Sequence, residues 1–168
     1  RYLMYGEWLY AKHTVFYDTL PHYFMEFDLL DTKTDEFLGT ERRFELLKDL
    51  NYEPVRVLYA GEYVSEQHLL DLVGASAFRS EHAIEVLARA TKEMGWDVEQ
   101  TLQQTDLSDL MEGLYIKTER DGIVTGRYKY VRNDFIQKLI SEGHWQDRPI
   151  IPNQLADGVD LFHRTNPE

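Results

Sequence analysis

The pair Asp121-Gly122, set between two β-prone runs, constrains this chain more than any other feature. Both residue types accept the positive φ angles of a type I′ turn, so Glu112 to Arg132 is expected to form one long antiparallel hairpin. With those two residues as the turn, Ile116 falls opposite Arg127, Leu114 opposite Lys129 and Glu112 opposite Val131. Alternation then gives one face carrying Glu112, Leu114, Ile116, Arg127, Lys129 and Val131, and another carrying Tyr115, Lys117, Tyr128 and Tyr130. Arg127 and Lys129 would sit roughly 7 Å apart, an unfavourable pair among apolar neighbours unless an anion lies between them. A phosphate satisfies both. Glu112, diagonal to Lys129, is suited to pair with it or to hold a hard divalent cation that bridges to the same phosphate. A slip of one residue would scatter the group. Taken alone, these side chains fit a solvated face with cross-strand ion pairs better than a binding site.

The remaining pattern predicts α+β: largely antiparallel sheets with flanking helices. Tyr2 to Glu7 and Tyr23 to Leu30 read as buried strands, and Val55 to Tyr59 as a further strand. Thr40 is placed as the N-cap of a helix bearing Phe44, Leu47 and Leu50 and closing at Asn51. Ser65 to Val73 and Ser80 to Met94 read as helices ended by Gly74 and Gly95, the second burying Ile84, Leu87 and Ala88. Asn133 or Asp134 begins a helix through Ile140, and the Pro149 and Pro152 stretch receives no assignment. Trp8, Tyr10 and Trp96 are expected to pack inside the protein or against the hairpin.

A chain of 168 residues, 43% hydrophobic, can bury a core, and one domain is the simplest organisation. The formal charge of −12 opposes non-specific binding to polyanions. Between Glu112 and Lys138 the balance reverses: Lys117, Arg120, Arg127, Lys129, Arg132 and Lys138 outnumber Glu112, Glu119, Asp121 and Asp134. No apolar run reaches the length of a membrane span, so no membrane association is expected, and the lack of cysteine fits a cytoplasmic location. No Gly-x-x-x-x-Gly-Lys loop, no Gly-x-Ser-x-Gly elbow and no zinc-helix arrangement of the six histidines occurs. Nucleotide binding would therefore have to come from dispersed residues.

Four segments occur in an order that resembles the ATP-dependent RNA ligases of the covalent nucleotidyltransferase superfamily. Gly6-Glu7-Trp8-Leu9-Tyr10-Ala11-Lys12-His13 looks like the family's third motif. Phe24-Met25-Glu26-Phe27-Asp28-Leu29-Leu30 looks like the aromatic and acidic motif that follows it. Glu112-Gly113-Leu114-Tyr115-Ile116-Lys117 resembles the fourth, and Arg127-Tyr128-Lys129-Tyr130 the fifth. The resemblance spans residues 6–130, leaving 131–168 as a helix and tail of unassigned role.

The resemblance implies two packed sheets with the nucleotide between them. It implies that Glu7 contacts the ribose, Phe27 stacks on adenine and Asp28 supports the pocket. Glu112 would assist Mg²⁺ or Mn²⁺, while Arg127 and Lys129 would hold the α-phosphate; the family usually has Lys where Arg127 stands. ATP is the implied cofactor and RNA ends, including nicks in a duplex, the implied partner. AMP would be carried by a lysine in a Lys-x-Asp-Gly motif, which this sequence lacks; Lys33-Thr34-Asp35-Glu36 reads as a turn. The expectation is therefore the C-terminal part of one ligase nucleotidyltransferase domain, with the lysine in a missing N-terminal part. A DNA ligase or GTP-using capping enzyme, and a non-catalytic nucleotide or nucleic-acid binding module, remain as alternatives.

Overall fold

A computed structural model describes residues 1–141 and 150–162. It is an α+β molecule in which a four-stranded sheet faces a two-stranded hairpin, with short helices around them. Strand β1 (Tyr2–Trp8) runs antiparallel to β2 (Phe24–Asp31), and β3 (Glu36–Phe37) and β4 (Glu53–Pro54) both pair with β2. The turn at Lys33 to Glu36 connects β2 to β3, as the sequence indicates. Helix α1 (Thr40–Leu47) follows, and Leu47 packs with Leu29, Leu38 and Tyr52 in the core of this half.

The ladder between β1 and β2 contains a bulge. Tyr5 faces Asp28 and Gly6 faces Glu26, so Phe27 is the extra residue. A β-bulge of this kind re-aims a side chain and leaves one backbone group out of the ladder. Gly6 is required there, because a Cβ at that position would collide with the Phe24 ring and the Met25 carbonyl.

The hairpin consists of β5 (Gly113–Arg120) and β6 (Ile123–Val131), turning at Asp121 and Gly122 with φ of 54° and 75°. The turn matches the expectation, and so does the pairing beside it, where Arg120 faces Ile123 and Glu119 faces Val124. Beyond that the expected register is wrong. A second bulge, at Thr125, shifts the strand by one, so Lys117 faces Arg127, Tyr115 faces Lys129 and Leu114 faces Tyr130. Arg127 and Lys129 therefore share a face with Tyr115 and Lys117, not with Leu114 and Ile116.

The hairpin joins the first sheet at one corner. Leu38 bridges to Ile123, and the Gly39 amide donates to the Gly122 carbonyl at 2.8 Å. Gly39, not Thr40, is the N-cap of α1. The capping groups come from the hairpin: Glu119 accepts from the Thr40 amide at 2.9 Å and from its hydroxyl at 2.6 Å.

Helix α2 (Glu66–Asp71) buries no residue, whereas α3 (Ala83–Glu93) and α4 (Val98–Gln103) pack with the loop after β1 around a second core of Phe16, Leu87 and Ile151. Both expected helices are shorter than the sequence suggests. Ser65 does cap α2, but Ser80 is not in α3, because its amide and hydroxyl bond the Asp18 carboxylate. The buried positions of α3 are Ala83, Leu87 and Thr91. Helix α4, capped by Asp97, has no counterpart in the expectations, while α5 (Asn133–Ser141) has the expected position. Val55 to Tyr59 is not a strand; Val57, Leu58 and Tyr59 are exposed. Pro149 lies outside the described residues.

One further expectation fails for a general reason. Apolar composition is not burial, and β1 is an edge strand whose Tyr2, Leu3, Met4, Tyr5 and Trp8 are all exposed, as are Tyr10 and Trp96.

Candidate functional site

The bulge at Phe27 creates the chemical centre of the molecule. Its carbonyl, displaced from the ladder, accepts from Lys117 Nζ at 3.0 Å and also from the Arg43 guanidinium. The flanking acids, Glu26 and Asp28, are both fully buried. Asp28 Oδ2 accepts from the Tyr115 hydroxyl at 2.5 Å and lies 3.5 Å from the Arg127 guanidinium, while Lys117 Nζ donates to Oδ1 at 3.3 Å. Glu26 pairs with Arg43 Nη1 at 3.3 Å. Buried charges are tolerated only when paired in this way.

Burial leaves its mark on the ionisation of these groups. It pushes the Glu26 carboxyl above its ordinary range, against the opposing pull of Arg43 and Lys117. It lowers the Lys117 ammonium, helped by the neighbouring Arg43 charge and resisted by Asp28. The Tyr115 phenol is pushed up to about 12 by burial and by its hydrogen bond to Asp28. Around this network are the aromatic rings. Phe27 meets Tyr115 edge-on at 5.4 Å, and the Arg127 guanidinium lies over Phe37 at 3.8 Å, a cation–π contact.

At the other end of the same hairpin, just before β5, Glu112 turns its carboxylate to Tyr17, whose hydroxyl donates to Oε1 at 2.7 Å. Glu7, exposed on β1, is close enough to Tyr17 to act on its ionisation. Glu112 thus adjoins the phenol at the end of the hairpin away from its turn, and Glu7 acts on it through its charge alone.

The family model described as RNA ligase matches residues 1–131, which contain every group named so far. The chain belongs to the RNA ligase family. No match was found among curated proteins or among solved structures.

Within this RNA ligase chain the structure brings together Phe27, Asp28 and Arg127, with Lys129 exposed on the Arg127 face. It brings Glu112 to Tyr17 and leaves Glu7 exposed on β1. It does not set Glu112 diagonal to Lys129, because the Thr125 bulge moves Lys129 opposite Tyr115. Sequence reasoning missed Lys117 and Tyr115, assigned to the other face, and also Arg43, Glu26 and Tyr17. Two acids in an apolar strand, Glu26 and Asp28, were the available signal, since each demands a cation.

Glu112 is the carboxylate here that could hold a hard divalent ion sharing its coordination with a ligand. Mg²⁺ typically takes one or two carboxylates and completes its shell with phosphate oxygens and water. Glu112 offers the carboxylate oxygen that Tyr17 leaves free, and no cluster of three or more His, Cys, Asp or Glu forms a protein cage among the described residues.

Proposed function

We propose that this chain is the nucleotide-pocket part of an ATP-dependent RNA ligase, which joins 5′-phosphate and 3′-hydroxyl RNA ends through lysyl-AMP and adenylylated RNA. One observation carries the reading: Lys117 and Arg127 converge on Asp28 directly beside Phe27, in a chain of this family. Arg43, Lys117 and Arg127 balance Glu26, Asp28 and the Glu119 that acts on Lys117, so Lys129, exposed on the same face as Lys117 and Arg127, is the surplus cation. A surplus cation in a half-buried site favours an anionic ligand.

In this reading Phe27 stacks on adenine and Asp28, with Lys117, fixes the backbone that carries that ring. Glu7 contacts the ribose, and Arg127 and Lys129 hold the α-phosphate. Glu112 would hold Mg²⁺ or Mn²⁺, which when bound neutralises phosphate charge. Transfer of adenylate asks chiefly for positioning and charge neutralisation, and these side chains provide both. The nucleophilic lysine belongs to a part of the domain outside this sequence, and the exposed apolar edge of β1 is a suitable place for that part to pack. RNA ends are the partner and the cytoplasm the location; no helix among the described residues is long and apolar enough to cross a membrane.

The test is calorimetric titration of the chain with Mg·ATP. Phe27→Ala is expected to weaken binding by about 1–3 kcal/mol, the worth of one stacked base. In a protein that also carries the Lys-x-Asp-Gly lysine, Lys129→Ala is expected to abolish sealing of a nicked RNA. Binding indifferent to Phe27, or sealing that survives Lys129→Ala, defeats the respective assignment. The sequence's lack of that lysine supports a second reading, a non-catalytic nucleotide-binding module. Incorporation of labelled AMP into the native protein separates the two.

A further inference from the structure

The residues beyond the matched stretch, 150–156, run along the loop that follows β1 and bond it repeatedly. Lys12 donates its amide to Ile151, Leu20 to Gln154, and Ala156 donates back to Leu20, at 2.7, 3.0 and 2.9 Å. Asn153, almost fully buried, is at the middle. Its amide donates to the Tyr10 carbonyl at 2.7 Å and its Nδ2 to the Leu9 carbonyl at 2.8 Å. Its Oδ1 accepts from the Tyr17 amide at 2.9 Å, and the Gln154 amide donates to the Tyr17 carbonyl at 2.8 Å. Both backbone polar groups of Tyr17 are thereby fixed by this segment. The ring is held from another side by Phe78, edge-on at 6.1 Å.

A residue fixed so thoroughly presents one functional atom, its hydroxyl, to Glu112 Oε1 at 2.7 Å. A carboxylate with one oxygen occupied by a neutral donor keeps its charge and presents the second oxygen in a defined direction.

We propose that Tyr17 is a positioning residue of the site: its hydroxyl orients the Glu112 carboxylate toward the divalent ion, and residues 150–156 act as the strap that sets Tyr17. This rests on the assignment of Glu112 to the metal. It extends the working unit past the family-matched residues and gives the 150–156 segment a role.

The experiment measures ATP affinity of the chain by calorimetry, once with Mg²⁺ and once in EDTA, and reads the gain that Mg²⁺ confers. Tyr17→Phe removes a single oxygen and keeps the ring. Loss of a hydrogen bond to a charged group is expected to shrink the Mg²⁺ gain about tenfold, while affinity in EDTA stays as in the unchanged chain. Circular dichroism and thermal melting check the fold in parallel. A merely structural tyrosine would weaken both affinities alike, and that result overturns the proposal. So does a full Mg²⁺ gain in Tyr17→Phe when Glu112→Ala has lost it. A gain that survives Glu112→Ala, or is missing from the unchanged chain, overturns the role of Glu112 itself and this inference with it.

Discussion

Asp28 is shielded entirely from solvent, yet Tyr115, Lys117 and Arg127 all reach it. Such an ion is stable only while its partners remain, which makes the phenol a reporter of the site. The Tyr115 pKa is raised to about 12, so its contribution is present in full below the ordinary phenol value near 10 and is lost as pH rises through about 12. Alkaline difference absorbance of the protein against Tyr115→Phe should therefore show one phenol ionising about two units late; ionisation near pH 10 would mean the hydrogen bond to Asp28 does not form. Phe27, Asp28 and Arg127 were legible from the motifs in which they stand. Tyr115 and Lys117 were not, because strict alternation was carried through a bulge. Gly126 inside a strand and the Thr118 and Thr125 hydroxyls, 3.0 Å apart across the bulge, were its only traces in the sequence.

Among the elements, α1 is held by a charge as well as by the apolar contact of Leu47. Arg43, with 1% of its surface exposed, reaches from α1 to Glu26 and to the Phe27 carbonyl, so helix, bulge and pocket are one construction. Arg43→Met keeps most of the volume but strands the buried Glu26 carboxylate, while the Phe27 carbonyl keeps Lys117 as its donor. Removing one partner of a buried pair typically costs about 3–5 kcal/mol, and urea unfolding should show a loss of that order; a loss below about 1 kcal/mol would mean that Glu26 is neutral in the folded chain. The existence of β1, β2, the hairpin and most helices was readable from periodicity and turn residues. Their ends were not, because the deciding bonds come from elsewhere: Glu119 of the hairpin caps α1, and Asp18 draws Ser80 out of α3. Val55 to Tyr59 has strand-like composition, but the strand pairing ends just before it, at Glu53 and Pro54.

At the scale of the whole molecule there are two separate core clusters, and a chain of net charge −12 gathers several cations at one place. The α+β class was legible because hairpin and helix signals are local. The facing of the hairpin on the sheet was not, since it depends on contacts between residues about ninety positions apart, such as Lys117 with Phe27. This distribution decides how ATP binding should respond to salt. The Debye length is about 10 Å at 0.1 M, so acids far from the pocket are already screened there. Added salt then acts mainly on the nearest cations, and affinity should fall as KCl rises from about 0.1 to 0.5 M. Lys129 is exposed and so readily screened. Lys129→Ala should weaken ATP binding roughly tenfold at the lower salt, the worth of one charged contact, and should also flatten the dependence on KCl. Titrations at several KCl concentrations test both effects together. Parallel slopes for the two proteins would remove Lys129 from the phosphate and leave Arg127 and Lys117 as the cations that hold it.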